Sequence, residues 1–478
     1  MKFPSNSKIL LKQSKTTSSL HPIPSADELR QSLANGLGSE ARQQLLALFD
    51  EGTFVEVGAY AKRFSSDFIT FSENEFAGVI TGYGAIDGKL VFAFVEDASR
   101  FGGVIDERHA SKIANIYDMA IKNGAPVIGV FNSTGADVFM GTTSLAAYAK
   151  IMKCVSRASG LIPQIAYADG NCIGSCCAIA AMFDFVVKNK DAHFYVANHD
   201  NQSSNAENFS VTFEGAKEEC VATVRALISF LPENASVGAD ILESADNLNR
   251  TLGELDFGGE ALAVISTIAD NGVFLEVSKN VADVVSCVFT TIGGVKCGVV
   301  ATSFAKNEGR IDAQSARKIA RFVTFCDSFA IPVVTLVDSL GLAHEECERN
   351  HFADALSDLA YAYATSECPM ITVLMGHAIG ASFALLGSKA LGADVVYVLD
   401  NAEVGALNAE CGVAFAWDTF INEEVSRDDL IADWKANVNS PVVACASGEV
   451  DDIISTNELR ARICSALLML SAKGRFGV

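Results

Sequence analysis

Two glycine-punctuated stretches could do chemistry with the main chain alone. They read Gly170-Asn171-Cys172-Ile173-Gly174-Ser175 and Gly376-His377-Ala378-Ile379-Gly380-Ala381, the second followed by Ser382. Small residues let a ligand carbonyl approach the backbone closely. A helix that starts there leaves its first N–H groups without intrahelical partners, at the positive end of its dipole. Two such amides aimed at one developing negative oxygen make an oxyanion hole, and losing one donor costs about 10²–10³ in rate in a well-studied protease. A second pair of turns, Asn132-Ser133-Thr134-Gly135 and Asp338-Ser339-Leu340-Gly341, ends the preceding strand in each case.

Side-chain chemistry is less well served. Ser133 and Ser339 have no evident base nearby, and serine at a strand end usually caps a turn. His344, Cys347 and His351 have a spacing that could bind a metal, but a complete site needs a fourth ligand or an open position; no metal is predicted. Asp137 is the one obvious carboxylate near Gly174, as a hydratase- or thioesterase-type reaction would need. His377, inside the second glycine turn, is placed to touch a ligand. No Cys-x-x-Cys pair and no glycine-rich loop with Lys-Ser/Thr occurs, which argues against a zinc ribbon and against ATP use.

The elements around these turns come in duplicate. Residues 109–178 resemble residues 315–384 at a constant offset of 206: Lys112-Ile113-Ala114 with Lys318-Ile319-Ala320, Pro126 with Pro332, Pro163 with Pro369, Gly170 and Gly174 with Gly376 and Gly380. Upstream, Phe54–Val57 echoes Phe274–Val277 at an offset of 220. Repeats of this kind are the first thing to seek. Each half reads strand (127–131; 333–337), Ser-x-Gly turn, helix (145–159; 352–365), strand (164–168; 370–374), glycine turn, small-residue helix (173–182; 379–386), strand (185–188; 395–399). Strands that alternate with helices and carry continuous apolar runs predict buried, mostly parallel sheets. The expected organisation is a tail over 1–26, one domain over 27–240 and a second over 241–478.

Composition agrees. Of 478 residues half are hydrophobic and 20% are charged, and the formal net charge is −22. That supports large cores and excludes the basic face that nucleic acid requires. The 13 cysteines are scattered among apolar positions, as expected of reduced thiols in a cytosol. The start lacks a signal-peptide core. The longest apolar window, 371–387, is short for a membrane span and holds turn residues.

The stretch TGYGAIDGKLVFAFVEDASRFGG (81–103), then His109-Ala110-x-Lys112-Ile113, Gly124-Ala125-Pro126-Val127-Ile128-Gly129, Gly160-x-Ile162-Pro163-Gln164-Ile165, Ala316-x-Lys318-Ile319-Ala320-Arg321-Phe322-Val323, Ile331–Asp338 and Gly448-x-Val450-Asp451-Asp452-Ile453-Ile454 stand in one order. From about residue 27 to 475 the chain thereby resembles the carboxyltransferase subunits of biotin-dependent acyl-CoA carboxylases and decarboxylases. That family includes propionyl-CoA carboxylase beta and methylmalonyl-CoA decarboxylase alpha subunits.

The resemblance implies an α/β fold of two duplicated crotonase-like (ClpP/crotonase) domains. It implies carboxyl transfer between biotin and an acyl-CoA through an enolate held by main-chain donors: carboxybiotin releases CO₂, the biotin anion takes the α-proton, and the enolate attacks CO₂. Carried over by position, Gly174 and Ser175 would hold the thioester oxygen, and Gly380, Ala381 and Ser382 the ureido oxygen. Gly135, Ala136, Cys172, Ile173, Ser339, Gly341, His377 and Ile379 would line the two binding sites. The coenzyme A thioester is the substrate. Biotin would arrive on a separate carrier protein, because Met152-Lys153 lies inside a helical stretch. Partners would be a biotin carboxylase or a membrane decarboxylase subunit, with copies of the chain forming a hexamer in the cytoplasm or at the periphery of a membrane complex.

The chain also departs from the family pattern. Ser-Gly-Gly-Ala-Arg becomes Ser133-Thr134-Gly135-Ala136-Asp137, Ala-Gly-Gly-Ala becomes Ile173-Gly174-Ser175-Cys176, and Tyr-Gly-Gly-Ala-Tyr becomes Ile379-Gly380-Ala381-Ser382-Phe383. An added Cβ would crowd a ligand or oppose positive φ, and the acid at 137 would weaken an anionic site. These departures motivate the alternative, a non-catalytic subunit that scaffolds a biotin carrier or an active paralogue.

Overall fold

The computed structural model describes residues 25–35, 38–63, 76–196, 211–244, 246–253, 259–343 and 351–473. In the first half the strands are β1 (Val55–Glu56), β2 (Val79–Ile86), β3 (Lys89–Glu96), β4 (Val127–Ser133), β5 (Gln164–Ile173), β6 (Phe185–Asn189), β7 (His193–Tyr195) and β8 (Phe213–Gly215). In the second they are β9 (Phe274–Val277), β10 (Val285–Ile292), β11 (Val295–Thr302), β12 (Val333–Ser339), β13 (Met370–Ile379), β14 (Val395–Leu399), β15 (Glu403–Gly405) and β16 (Asp452–Ile454).

Each set forms one sheet, in the orders β1-β2-β3-β4-β5-β6-β8 and β9-β10-β11-β12-β13-β14-β16, with β7 added to β5 and β15 to β13. The chain meets the duplication at the level of single bounds: β2 with β10, β3 with β11, β4 with β12 and β5 with β13 start 206 residues apart (79 and 285, 89 and 295, 127 and 333, 164 and 370). The hairpins β2–β3 and β10–β11 and the edge pairs β1–β2 and β9–β10 are antiparallel; from β3–β4 and β11–β12 onward the pairing is parallel. All residues of β11 and β12 are buried, the burial that continuous apolar runs predict.

The two hairpins turn at Asp87-Gly88 and Gly293-Gly294, all with positive φ. Such dipeptides suit the tight turns whose twist matches the strands. The helices α1 (Glu107–Asn123), α2 (Thr142–Ala158), α3 (Ser175–Ala181), α4 (Ala313–Ser328), α5 (Phe352–Ala364) and α6 (Ala381–Leu385) cross between the parallel strands. Helices α1 and α4 begin five residues before Lys112 and Lys318, where Asp106 and Asp312 cap them by accepting from the N–H of His109 and Ser315. The helical stretch holding Met152-Lys153 is α2.

The halves share one apolar core. Phe185 of β6 meets Phe325 of α4 edge-on with 4.7 Å between centroids. Arg321 of α4 donates to the carbonyls of Phe183 (2.9 Å) and Asp184 (3.2 Å). Residues 240–242 run beside the start of β11: Lys296 N–H donates to Asp240 O, and Leu242 N–H to Gly294 O. Among the described residues no helix is long and apolar enough to cross a membrane.

The stretches 170–173 and 376–379, expected as turns, are strand. The reason is twofold. β7 and β15 continue the ladder along them, and each first glycine passes over a side chain. A Cβ on Gly170 would lie 2.3 Å from Asn132 Oδ1, and one on Gly376 2.6 Å from the Asp338 carboxylate. Gly376→Ala is therefore expected to destabilise the fold by about 2–4 kcal/mol. Gly253→Ala, which meets nothing within 4 Å, should stay within about 0.5 kcal/mol. Urea midpoints of the two variants check the contrast.

Candidate active site

At the first bend β4 and β5 part after a register shift that sets Ser133 against Cys172. The Asn132 side chain accepts from Asn171 N–H (3.1 Å), and Glu96 accepts from Asn132 N–H (2.9 Å). Ser133 Oγ accepts from Gly135 N–H (3.1 Å), the cap expected of a strand-end serine. Gly174 then turns the chain with φ 60° and ψ −128°, a conformation that L side chains rarely adopt. Its own N–H is used, donating to Tyr195 O at 2.9 Å. Helix α3 starts at Ser175, which is exposed.

The second bend repeats this at 206 residues' distance. Asp338 accepts from His377 N–H (2.8 Å), and Thr302 Oγ1 replaces Glu96 in accepting from Asp338 N–H (2.7 Å). Ser339 Oγ accepts from Gly341 N–H (3.2 Å). Gly380 has φ 61° and ψ −131°, and its N–H donates to Gly405 O at 2.8 Å. Ser382 turns inward, where its hydroxyl donates to Ile379 O (2.8 Å), with Ser339 O at 3.2 Å.

This arrangement sorts the expected residues. Gly174 and Gly380 are bend-formers whose N–H groups are taken, so they are not the donors they were expected to be. Gly135 and Gly341 likewise spend their N–H groups on serine caps. Among the described residues, the N–H groups of Ala136, Ser175 and Ala381 have no acceptor. Ser175 and Ala381 sit at the first helical position and neither has positive φ. The Cβ atoms that replace the family's glycines therefore meet no backbone objection. Cys172, Ile173 and Ile379 belong to the strands leading in, and burial pushes the Cys172 thiol well above its ordinary range. Ser339 acts as a cap. His377 remains half-buried at the mouth of the second bend.

Two buried groups of ionisable side chains support the first bend. Asp137 is ion-paired with Arg63 and accepts from Phe139 N–H at 3.0 Å. Arg63 also reaches Asp106 at 3.3 Å and lies 4.2 Å over the Phe101 ring. The acid at 137 is thus paired and held, sharing Arg63 with Asp106, so it does not stand free as a catalytic carboxylate. The second group is Glu96 and His109, 3.8 Å apart. That is too long for a hydrogen bond, and among the described residues Glu96 Oε1 and both His109 ring nitrogens have no hydrogen-bond partner. Burial raises the Glu96 carboxyl to about 8, against the pull of Asn132 N–H. Burial, then the Lys112 charge, lowers His109 to about 3. Both are uncharged at neutral pH.

Of the proposed metal triad, His344 and Cys347 lie outside the described residues; His351 stands just before α5, 3.3 Å from Asp354. Among the described residues no group of three His, Cys, Asp or Glu could hold a metal ion. Residues that sequence reasoning missed include Arg63, Glu96, Phe304, which stacks on His377 at 4.5 Å, and Glu403, in register with His377 on β15. The 206-residue offset was the available signal, since it pairs Glu96 with Thr302 and Asn171 with His377.

The Glu96 carboxyl binds its proton more tightly in the folded state than in the unfolded state. Its contribution to stability is full below about 4.5 and is lost as pH rises through about 8. His109 runs the opposite way between about 3 and 6.5, so above 6.5 Glu96 acts unopposed by it. Glu96→Gln keeps an oxygen for Asn132 N–H. It should remove about 2 kcal/mol of the stability lost between pH 6.5 and 8. Asp184, raised to about 7 by burial, contributes equally to both proteins. Urea midpoints at the two pH values measure the difference.

The carboxyl transferase domain matches residues 39–202 and 209–477. The propionyl-CoA carboxylase beta chain of Saccharopolyspora erythraea is 31% identical over 481 residues, covering 91% of this chain and 88% of that protein. The methylmalonyl-CoA decarboxylase subunit alpha of Veillonella parvula is 31% identical over 465 residues, covering 91% and 90%. Among solved structures, the transcarboxylase 12S hexamer with methylmalonyl-coenzyme A and methylmalonic acid bound aligns with a TM-score of 0.86 at 28% identity. That alignment covers 98% of this chain and 97% of the other.

Proposed function

This chain belongs to the carboxyl transferase family, and from that premise we propose that it moves a carboxyl group between biotin and an acyl-CoA. One observation carries the proposal: both bends keep the positive-φ glycine and follow it with an N–H that has no acceptor among the described residues, at Ser175 and Ala381. A thioester oxygen that gains charge needs such a fixed donor. At the first bend Ser175 and Ala136 supply it. At the second, Ala381 suits the oxygen of a cyclic urea.

Biotin, when bound, supplies the nitrogen that carries the carboxyl group. This chain's residues hold oxygens and orient the reacting groups, and no side-chain nucleophile is required. With Asp137 paired to Arg63, a hydratase-type reading loses its carboxylate. Biotin comes on a separate carrier chain, which a biotin carboxylase or a membrane decarboxylase subunit would serve. The 12S neighbour is described as a hexamer assembly, and apolar side chains stand exposed beside the first bend: Val138 (79%), Phe139 (78%) and Leu145 (61%). We take these as a face for a second copy in a hexamer, with the domains divided at 240/241.

Purified chain incubated with methylmalonyl-CoA and free biotin should yield carboxybiotin. A silent wild type beside an active relative would favour the scaffolding alternative. Proline is tolerated at the first helical position but carries no N–H. Ser175→Pro should therefore lower transfer by about 10²–10³-fold with the fold intact, whereas Ser175→Ala, which keeps the donor, should retain most activity. Equal activity of the two variants would remove Ser175 from the proposed site.

A further inference from the structure

The second bend carries a device that the first lacks. Both bends close by an N–H donating to a strand-end side chain: Asn171 to Asn132 and His377 to Asp338. That bond suffices for the fold, since the first half manages with it alone. In the second half the imidazole adds another contact, Nδ1 to Asp338 Oδ1 at 2.9 Å. Phe304 stacks on the ring at 17° between planes and fixes its orientation.

A carboxylate can only accept, so Nδ1 carries the proton, and Nε2 is left with a lone pair. Among the described residues Nε2 has no partner, and the side chain is 31% exposed. The acid across from it does not compete. Glu403 spends its oxygens on Ala409 N–H (3.0 Å), Asn439 Nδ2 (2.8 Å) and Lys435 (3.5 Å). His377 lies four residues before the open Ala381 N–H, at the carboxyl end of β13, where ligands of parallel sheets gather.

A cyclic urea presents a carbonyl oxygen flanked by N–H groups. We propose that the Asp338–His377 pair is a tautomer-locked acceptor for a ureido N–H, so that the ring is held by its oxygen on Ala381 and by its N–H on His377 Nε2. The inference rests on the second bend being the biotin half-site. It assigns His377 to recognition, with Asp338 as the residue that positions it.

The test is steady-state transfer from methylmalonyl-CoA to free biotin by the full chain. His377→Ala should raise KM for biotin about tenfold and leave KM for methylmalonyl-CoA unchanged. Asp338→Asn should leave both KM values near wild type, because the oxygen that accepts from His377 N–H is the one that meets Nδ1, and an amide oxygen held there, as in Asn132, keeps the proton on Nδ1. His377→Gln, whose oxygen can accept, should recover part of the loss. Where Asp338→Asn fails to fold, the two His377 variants decide alone. An active wild type with unchanged biotin KM in His377→Ala overturns this inference only. A rise in both KM values assigns His377 a structural role and also overturns it. A wild type that transfers nothing overturns the proposed function and the inference together.

Discussion

Each bend hangs on one hydrogen bond that crosses a glycine. A side chain at the end of one strand, Asn132 or Asp338, accepts from the N–H two strand positions short of the bend's lead-in residue, at 171 or 377. The bond forms only because Gly170 and Gly376 leave room over that side chain. Once it is made, the strand runs on to Ile173 or Ile379, Gly174 or Gly380 turns the chain, and a short helix begins. A free amide at the first helical position is the end product of this sequence. Everything proposed about oxygen-holding depends on that order of steps.

Much of this was legible in the residues. The constant offset of 206, the buried parallel strands and the glycine positions could all be read, because duplication and hydrophobic runs leave local traces. What could not be read was which glycine does what. Gly170 and Gly174 look alike in sequence. One is needed for space and the other for a positive φ, and only the neighbouring strand tells them apart. The same holds for the donors: the N–H of Gly174 is consumed by Tyr195 O, 21 positions on in a separate strand. Asp137 misled for a similar reason, since its partner Arg63 lies far back in the chain.

The two halves have diverged at the supporting layer more than at the bends. The job done by a buried carboxyl at 96 is done by a hydroxyl at 302. His109, capped into α1, is matched by Ser315 in α4. The first half therefore carries a buried, uncharged acid and imidazole in support of its bend, and the second carries a half-exposed imidazole on the bend itself. A duplicated scaffold with unequal polar fittings is what two different ligands would call for, one presenting a lone carbonyl and the other a ring with donors beside its oxygen.

Because Ser175 and Ala381 sit at ordinary helical dihedrals, the main chain alone supplies the hydrogen that matters there. The side chain at each position is then a spare variable. Any residue except proline leaves the donor in place, so either side chain can be varied to reshape the space above its own bend while the main-chain hydrogen stays where it is.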